Sequence, residues 1–124
     1  LLNGTAMRIR HMTIFDIIYV PFPFTDLSSA KRRPCIIIGS YKPKSFNQHL
    51  IVAMITSKVS TIKFPHDIEI EDLKAAGLST SSVIRLSKIV TIDSGIVIKK
   101  LGRLAKSEQT RLKREFAKLF EEVV

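Results

Sequence analysis

Lys31-Arg32-Arg33-Pro34-Cys35-Ile36-Ile37-Ile38-Gly39 is the stretch on which the fold turns. Three cations precede a proline, and the proline opens a run of four apolar residues closed by Gly39. A run this short and this rich in β-branched residues reads as a buried strand rather than a helix. Proline is tolerated at the first position of a strand, where no ladder donor is required. The chain thus delivers three cations to the mouth of a rigid core strand, which suits a site that holds a polyanion. The same residues also read as a solvated loop with ordinary surface charges, because a basic cluster alone is a weak signal.

Working outward, Ile14 to Val20 reads as a strand that ends or bulges at Pro21-Phe22-Pro23-Phe24, since two prolines cannot sit in a central ladder. A polar loop over 25–30 then leads into the Pro34 strand, and a Lys-rich loop over 40–48 leaves it. His49 to Thr56 is apolar and β-prone, and 66–71 alternates with period two, placing Ile68 and Ile70 inward. Residues 71–76 form a helical turn or two stopped by Gly77. Residues 82–92 read as a long strand and Ile96-Val97-Ile98 as a short last one. Beyond it the period changes. Leu112, Phe116, Leu119, Phe120 and Val123 share one face of a helix, with Ser107 as its N-cap and Glu108 suited to its dipole. Lys113, Arg114 and Lys118 lie off that stripe and read as its solvated face. Five to seven strands followed by one helix, without βαβ alternation, predict a mainly β protein: a small antiparallel barrel or sheet with a C-terminal helix.

At 124 residues the chain is long enough for one core. Hydrophobic content of 45% with 25% charge argues against global disorder, and no apolar run is long enough to span a membrane. The single cysteine, Cys35, reads as a small buried hydrophobe. One cysteine excludes an intrachain disulfide or a Cys-based zinc site, which fits a reducing cytoplasm. Residues 1–11 show no sustained period and no long apolar h-region. His11-Met12 matches a common cloning junction, so 1–11 reads as a leader and 12–124 as one domain. The net charge is +9, or +7 without Arg8 and Arg10, and it favours nucleic acid or another acidic partner.

No phosphate-cradling GxxxxGK[ST] loop or GxGxxG is present, and His11, His49 and His66 form no ligand pair. The carboxylates make no DxD cluster of the kind that holds two metals. No metal or other cofactor is expected. Arg33, Arg85 and Lys88 with Thr56 and Ser57 remain, a set able to bind a phosphodiester and stabilise a charged transition state. RNA suits such a site, because its 2′-OH is a built-in nucleophile that needs only positioning and charge management.

Several motifs follow one another in a telling order. They are Phe15-Asp16-Ile17-Ile18-Tyr19-Val20 with Pro21-Phe22-Pro23-Phe24-Thr25-Asp26, then Lys31-Arg32-Arg33-Pro34, then Ile55-Thr56-Ser57-Lys58. Ala76-Gly77-Leu78 with Ser82-Val83-Ile84-Arg85-Leu86 comes next, and Leu101-Gly102-Arg103-Leu104 last. In this order, from about Ile14 to the C-terminus, the chain resembles the MazF/PemK family of toxins from type II toxin–antitoxin systems. The resemblance implies an SH3-like barrel with a terminal helix and a homodimer silenced by a cognate antitoxin. It also implies a metal-independent endoribonuclease that cuts single-stranded RNA to a 2′,3′-cyclic phosphate and a 5′-OH.

Carried over residue by residue, the resemblance gives catalytic roles to Arg33, which would stabilise the phosphorane and can move a proton, and Thr56, which would hold a phosphate oxygen or the 2′-OH. Lys31, Arg32, Ser57, Lys58, Arg85, Ser87 and Lys88 form the substrate-binding set around them. The chain also departs from the family. An aspartate used as candidate base in the PemK branch is Ser87 here, a histidine of the first long loop has no counterpart, and the usual glycine before the first-strand aspartate is Phe15. The last reads as a packing change. The general base is unassigned, with Asp16 and Asp26 the nearest acidic candidates; Asp16 also reads as a turn or strand-start hydrogen-bonding residue. Two other readings stay open: a toxin of the same fold that binds a protein target such as gyrase, and a non-catalytic RNA-binding module.

Overall fold

A computed structural model describes residues 12–21, 31–44, 47–57 and 64–121. Along them run strands β1 (Asp16–Pro21), β2 (Arg32–Tyr41), β3 (His49–Thr56) and β4 (Asp67–Glu69). A one-turn helix α1 (Leu73–Ala76), strand β5 (Val83–Asp93), a 3-10 turn (Ser94–Ile96), strand β6 (Lys99–Arg103) and helix α2 (Lys106–Glu121) complete them. The six strands form one antiparallel sheet in the order β4-β5-β3-β2-β1-β6. The mainly β, antiparallel architecture with a terminal helix is the one expected. Among the described residues no pairing joins β4 to β6, so the ladder is open there.

Both faces of the sheet are covered, which is why β2 and β3 read as continuous apolar runs. Ile17, Ile36, Ala53, Ile55 and Ile84 point to one face and pack with Ala76 of α1 and Leu112 of α2. Ile18, Val20, Cys35, Ile37, Val52 and Met54 point to the other and pack with Met12 and Ile92, flanked by Ile96 and Val97. Each fully buried aliphatic side chain contributes roughly 1.5–3 kcal/mol relative to exposure. Ile68 and Ile70 are buried as their alternation requires.

Several local expectations are corrected. Pro34 is the third residue of β2, not the first. It is tolerated because β2 pairs with β1 there, at Tyr19, while pairing with β3 begins only at Cys35; Pro34 behaves as an edge position. Residues 96–98 are no strand. Asp93 accepts from Gly95 N at 2.6 Å and turns the chain, and the last strand lies in the more polar Lys-Lys-Leu-Gly-Arg segment, whose two lysines and arginine are exposed. Helix α2 begins at Lys106, so Ser107 sits inside its first turn. Phe120 is 69% exposed, joined edge-on to Phe116 instead of entering the core; Val123 lies outside the described residues. Glu108 is in the first turn as expected, yet buried. Its carboxylate accepts from Glu71 N (2.8 Å) and Asp72 N (3.1 Å) at the start of α1, tying the two helices together.

The contact between α1 and β6 is made by backbone. Gly77 closes α1 at φ 75°, and a Cβ on it would fall 2.0 Å from Leu101 O. A Cβ on Gly102 would fall 2.4 Å from Ala75 O. No side chain fits at either point, so this pair of glycines fixes where the segment after α1 lies.

Candidate functional site

The sheet registers decide what shares a face at the end where β2 begins. Val20 stands opposite Arg33 and Tyr19 opposite Pro34. Continuing the Cys35–Met54 register outward by two residues sets Arg33 opposite Thr56, and Thr56 in turn is opposite Val83. By strand alternation Arg33 and Thr56 therefore fall on the same face as Cys35 and Met54. Arg85, opposite Met54, shares that face. Its Nε and Nη2 donate to the two oxygens of Asp67 at 3.3 and 3.0 Å, and its guanidinium carbon lies 4.0 Å from the centroid of the Phe64 ring. That planar, two-point pairing fixes the Arg85 guanidinium in place, with its charge balanced by Asp67.

On the opposite face, around the same strand end, opens a cavity of about 540 Å³. Lys31, Arg32, Arg33 and Ser57 line it together, so four of the sequence-derived residues converge. Tyr19, Pro34, Ile55, Leu78 and Leu101 give it an apolar lining, and Ser79, Thr80, Ser82 and Lys99 add polar groups. No carboxylate belongs to the described lining. Arg33 thus belongs both to the Thr56 face by register and to the cavity by its position at the rim, where β2 projects beyond its pairing with β3.

Other expected residues are not gathered there. Thr56 is half-buried and is not part of the cavity lining. Ser87 and Lys88 are exposed on β5, in a bulge where the register jumps from Met54–Arg85 to Ala53–Ile89. Lys58 lies outside the described residues, as does Asp26. Asp16 is buried at the far end of β1. Its Oδ1 accepts from Arg103 Nη1 (2.9 Å) and Lys100 Nζ (3.2 Å), and its Oδ2 from Thr13 N (2.8 Å). This is the strand-start hydrogen-bonding role, and Asp16 is not part of the cavity lining. Phe15, read as a packing change, has φ 78°; the position calls for left-handed backbone, the conformation that glycine adopts freely.

Sequence reasoning missed Tyr19, Lys99 and the hydroxyls of residues 79–82. The Gly77 and Gly102 motifs were the available signal, since glycines that cannot accept a Cβ mark two segments in direct contact. Cys35, just inside the rim, has its thiol pushed up to about 12 by burial, so it is a packing residue and not a nucleophile. Among the described residues no group of three or more His, Cys, Asp or Glu side chains is placed to hold a metal ion.

A small antiparallel sheet, backed by a terminal helix, carries at one strand end a cavity lined by several cations. The chain belongs to the family described as PemK-like, MazF-like toxin of type II toxin–antitoxin system, whose model matches residues 14–120. The endoribonuclease MazF of Staphylococcus saprophyticus is 36% identical over 73 residues, which are 59% of this chain. The chain spans 60% of the length of that relative. Among solved structures, the Mycobacterium tuberculosis toxin MazF-mt6 is similar with a TM-score of 0.62 at 18% identity, over 86% of this chain and 96% of that one. A mycobacterial endoribonuclease in complex with its cognate antitoxin gives 0.66 at 10% identity, over 91% and 98%. The MazE–MazF structure from Deinococcus radiodurans gives 0.60 at 11%, over 88% and 94%. At these identities the structural likeness speaks for the fold. No described helix is long and apolar enough to cross a membrane.

Proposed function

We propose that the chain is the toxin of a type II toxin–antitoxin pair and acts as a metal-independent endoribonuclease on single-stranded RNA in the cytoplasm. The observation that carries this reading is the meeting of Lys31, Arg32 and Arg33 with Ser57 in one cavity whose described lining has no carboxylate. Cations gathered at one strand end without a carboxylate beside them attract the phosphates of a nucleic acid.

In the mechanism, the 2′-OH gives up its proton as O2′ attacks the neighbouring phosphorus, the P–O5′ bond breaks, and O5′ takes up a proton, so that none is gained or lost overall. The products are a 2′,3′-cyclic phosphate and a 5′-OH. The Arg33 guanidinium supplies paired donors to the phosphorane oxygens as charge accumulates on them. Thr56 Oγ1, across the strand pair, holds a phosphate oxygen or orients the 2′-OH. Lys31 and Arg32 anchor flanking phosphates. A homodimer with a two-fold interface, silenced by a cognate antitoxin, is the assembly that goes with this reading.

Purified protein incubated with a long unstructured RNA in EDTA, followed by end mapping, tests the proposal. Cyclic-phosphate and 5′-OH ends are expected. Cleavage that vanishes in EDTA and returns with magnesium overturns the mechanism. RNA bound but left intact points to a non-catalytic module, and an uncut, unbound RNA points to a protein-binding toxin.

A further inference from the structure

We propose that the cavity next to the Arg33–Thr56 pair is a nucleobase subsite selective for keto bases, guanine or uracil, with Lys99 and the hydroxyls of Ser79 and Thr80 as its specificity-determining groups. The inference rests on the nuclease reading of the neighbouring strand end and extends it to the base beside the scissile phosphate.

The floor is the first argument. Tyr19 of β1 stands directly between Pro34 of β2 and Lys99 of β6 in the sheet registers. Three side chains therefore lie side by side on one face. Tyr19 and Pro34 make an apolar surface with Ile55 and Leu101. A phosphate has no use for such a floor. An unstacked base does, because RNA-binding proteins read single strands by splaying bases onto aromatic or apolar surfaces and hydrogen-bonding their edges. The volume, about 540 Å³, falls in the roughly 300–1,000 Å³ range of sites for small organic groups.

The walls supply the preference. Lys99 Nζ lies 5.9 Å from the Tyr19 ring centroid, so a cation–π contact keeps the ammonium at the cavity. Lysine and arginine are donors only, and Arg32 and Lys99 bring such donors to the cavity lining. Guanine and uracil present a carbonyl acceptor where adenine and cytosine present an amino donor. Cations that only donate therefore favour the first pair, whereas the amino groups of the second can pair only with the lining hydroxyls. The hydroxyl wall is fixed as well. Ser82 Oγ donates to Thr80 O at 2.8 Å, Ile70 N donates to Ser82 O at 2.9 Å, and the Gly77–Gly102 contact anchors the segment's start. A recognition surface on a restrained segment discriminates better than one on a loose loop.

Arg33 joins the two sites. It borders the cavity on one face of the sheet and stands opposite Thr56 on the other, so a strand crossing the end of β2 places one phosphate and its neighbouring base in the two sites at once.

The test uses 2′-O-methyl oligonucleotides, which cannot be cut, varied at one position among the four bases. The full chain is compared with Lys99→Met, Lys99→Arg and Ser79→Ala/Thr80→Ala. The unaltered protein is expected to bind guanine or uracil about tenfold or more tightly than adenine or cytosine at one position. Lys99→Met should bring that ratio below about threefold with little loss for adenine and cytosine, Lys99→Arg should restore it, and the double alanine variant should narrow it. An equal loss for all four bases with a shallower salt dependence overturns the subsite, for Lys99 is then a phosphate anchor. Absence of any base preference in the unaltered protein overturns it too. Mapping of cleavage sites separates the two ideas. A base preference that depends on Lys99 without any RNA cleavage sinks the nuclease reading and keeps the subsite. Metal-free cleavage whose flanking-base profile is unchanged by Lys99→Met sinks the subsite alone.

Discussion

Replacing Phe15 by glycine and by alanine is expected to invert the usual order of those two residues. Phe15 holds φ 78°, a region where a bulky side chain is an outlier. Two backbone bonds keep it there: Phe15 N donates to Ile37 O at 2.7 Å, and Leu104 N donates to Phe15 O at 2.9 Å. The residue is buried, with Lys113 Nζ 5.6 Å from its ring centroid. Both substitutions forfeit the ring, at a cost of about 3–5 kcal/mol. At an ordinary strand position glycine would then be the worse by about 0.5–1 kcal/mol. Here alanine keeps a left-handed strain of order 1–3 kcal/mol that glycine sheds. The balance favours Phe15→Gly over Phe15→Ala by roughly 0.5–2 kcal/mol on those two terms. Urea unfolding of the two variants measures it directly. With a slope near 2 kcal/mol per molar, the glycine midpoint should lie about 0.3–1 M above the alanine midpoint. An alanine variant equal to or more stable than glycine refutes the strain argument, and Phe15 is then a packing residue only.

The remaining expectations are compact. Gly102→Ala should cost about 1–3 kcal/mol or more, because its Cβ meets Ala75 O at 2.4 Å, whereas Gly39→Ala, whose nearest neighbour is the Ile51 Cδ1 at 3.4 Å, should stay close to neutral; thermal melts of the pair check the contrast. With the Cys35 thiol raised to about 12 from 9.0, the unfolded chain loses this proton first, so stability should fall as pH rises through that window. The loss is up to about 1.4 kcal/mol per unit, and the stability of a Cys35→Ala variant should lack that part of the alkaline decline. Arg33→Lys should keep most RNA affinity yet slow single-turnover cleavage roughly a hundred- to thousandfold, while Lys31→Ala and Arg32→Ala weaken binding and flatten its salt dependence with the rate at saturation nearly unchanged. Equal rate losses in all three would make Arg33 one more phosphate anchor.

Strands with one or two buried faces were legible because burial writes itself into the sequence. β3 runs from His49 to Thr56 as its apolar residues indicate, and Ile68 and Ile70 point inward as their alternation requires. β6 was hidden because its two lysines and its arginine face solvent, and its pairing partner, β1, is some eighty residues upstream. A long-range ladder bond leaves no local mark. The left-handed backbone at Phe15 was equally silent, since a glycine would have announced it and phenylalanine does not. At the candidate site, the cations next to Pro34 were visible and their convergence was not. Tyr19 and Lys99 meet only because β6 pairs with β1 in one register. Asp16 shows the reverse failure, a chemically able residue whose lone pairs are already given to Arg103, Lys100 and Thr13.

The ledge formed by the first residues of β2 follows from one mismatch in length. β2 pairs with β1 from Arg32 onward but with β3 only from Cys35, so in the described pairing residues 32–34 are held by β1 alone. A fully paired strand would direct each residue to a single covered face. A free loop would direct none of them. Held on one side, the ledge keeps the alternation of a strand, so Arg32 shares the face of Pro34 while Arg33 takes the face of Thr56, and it leaves room for a ligand to approach. Proline suits this position physically, because it removes a donor that would otherwise invite a neighbouring strand to close the gap. Arg32 of the ledge is thereby fixed in direction by its pairing with β1 while remaining exposed. On the proposed nuclease reading, rigidity from β1 would let the ledge present its cations in fixed directions to a long polyanion.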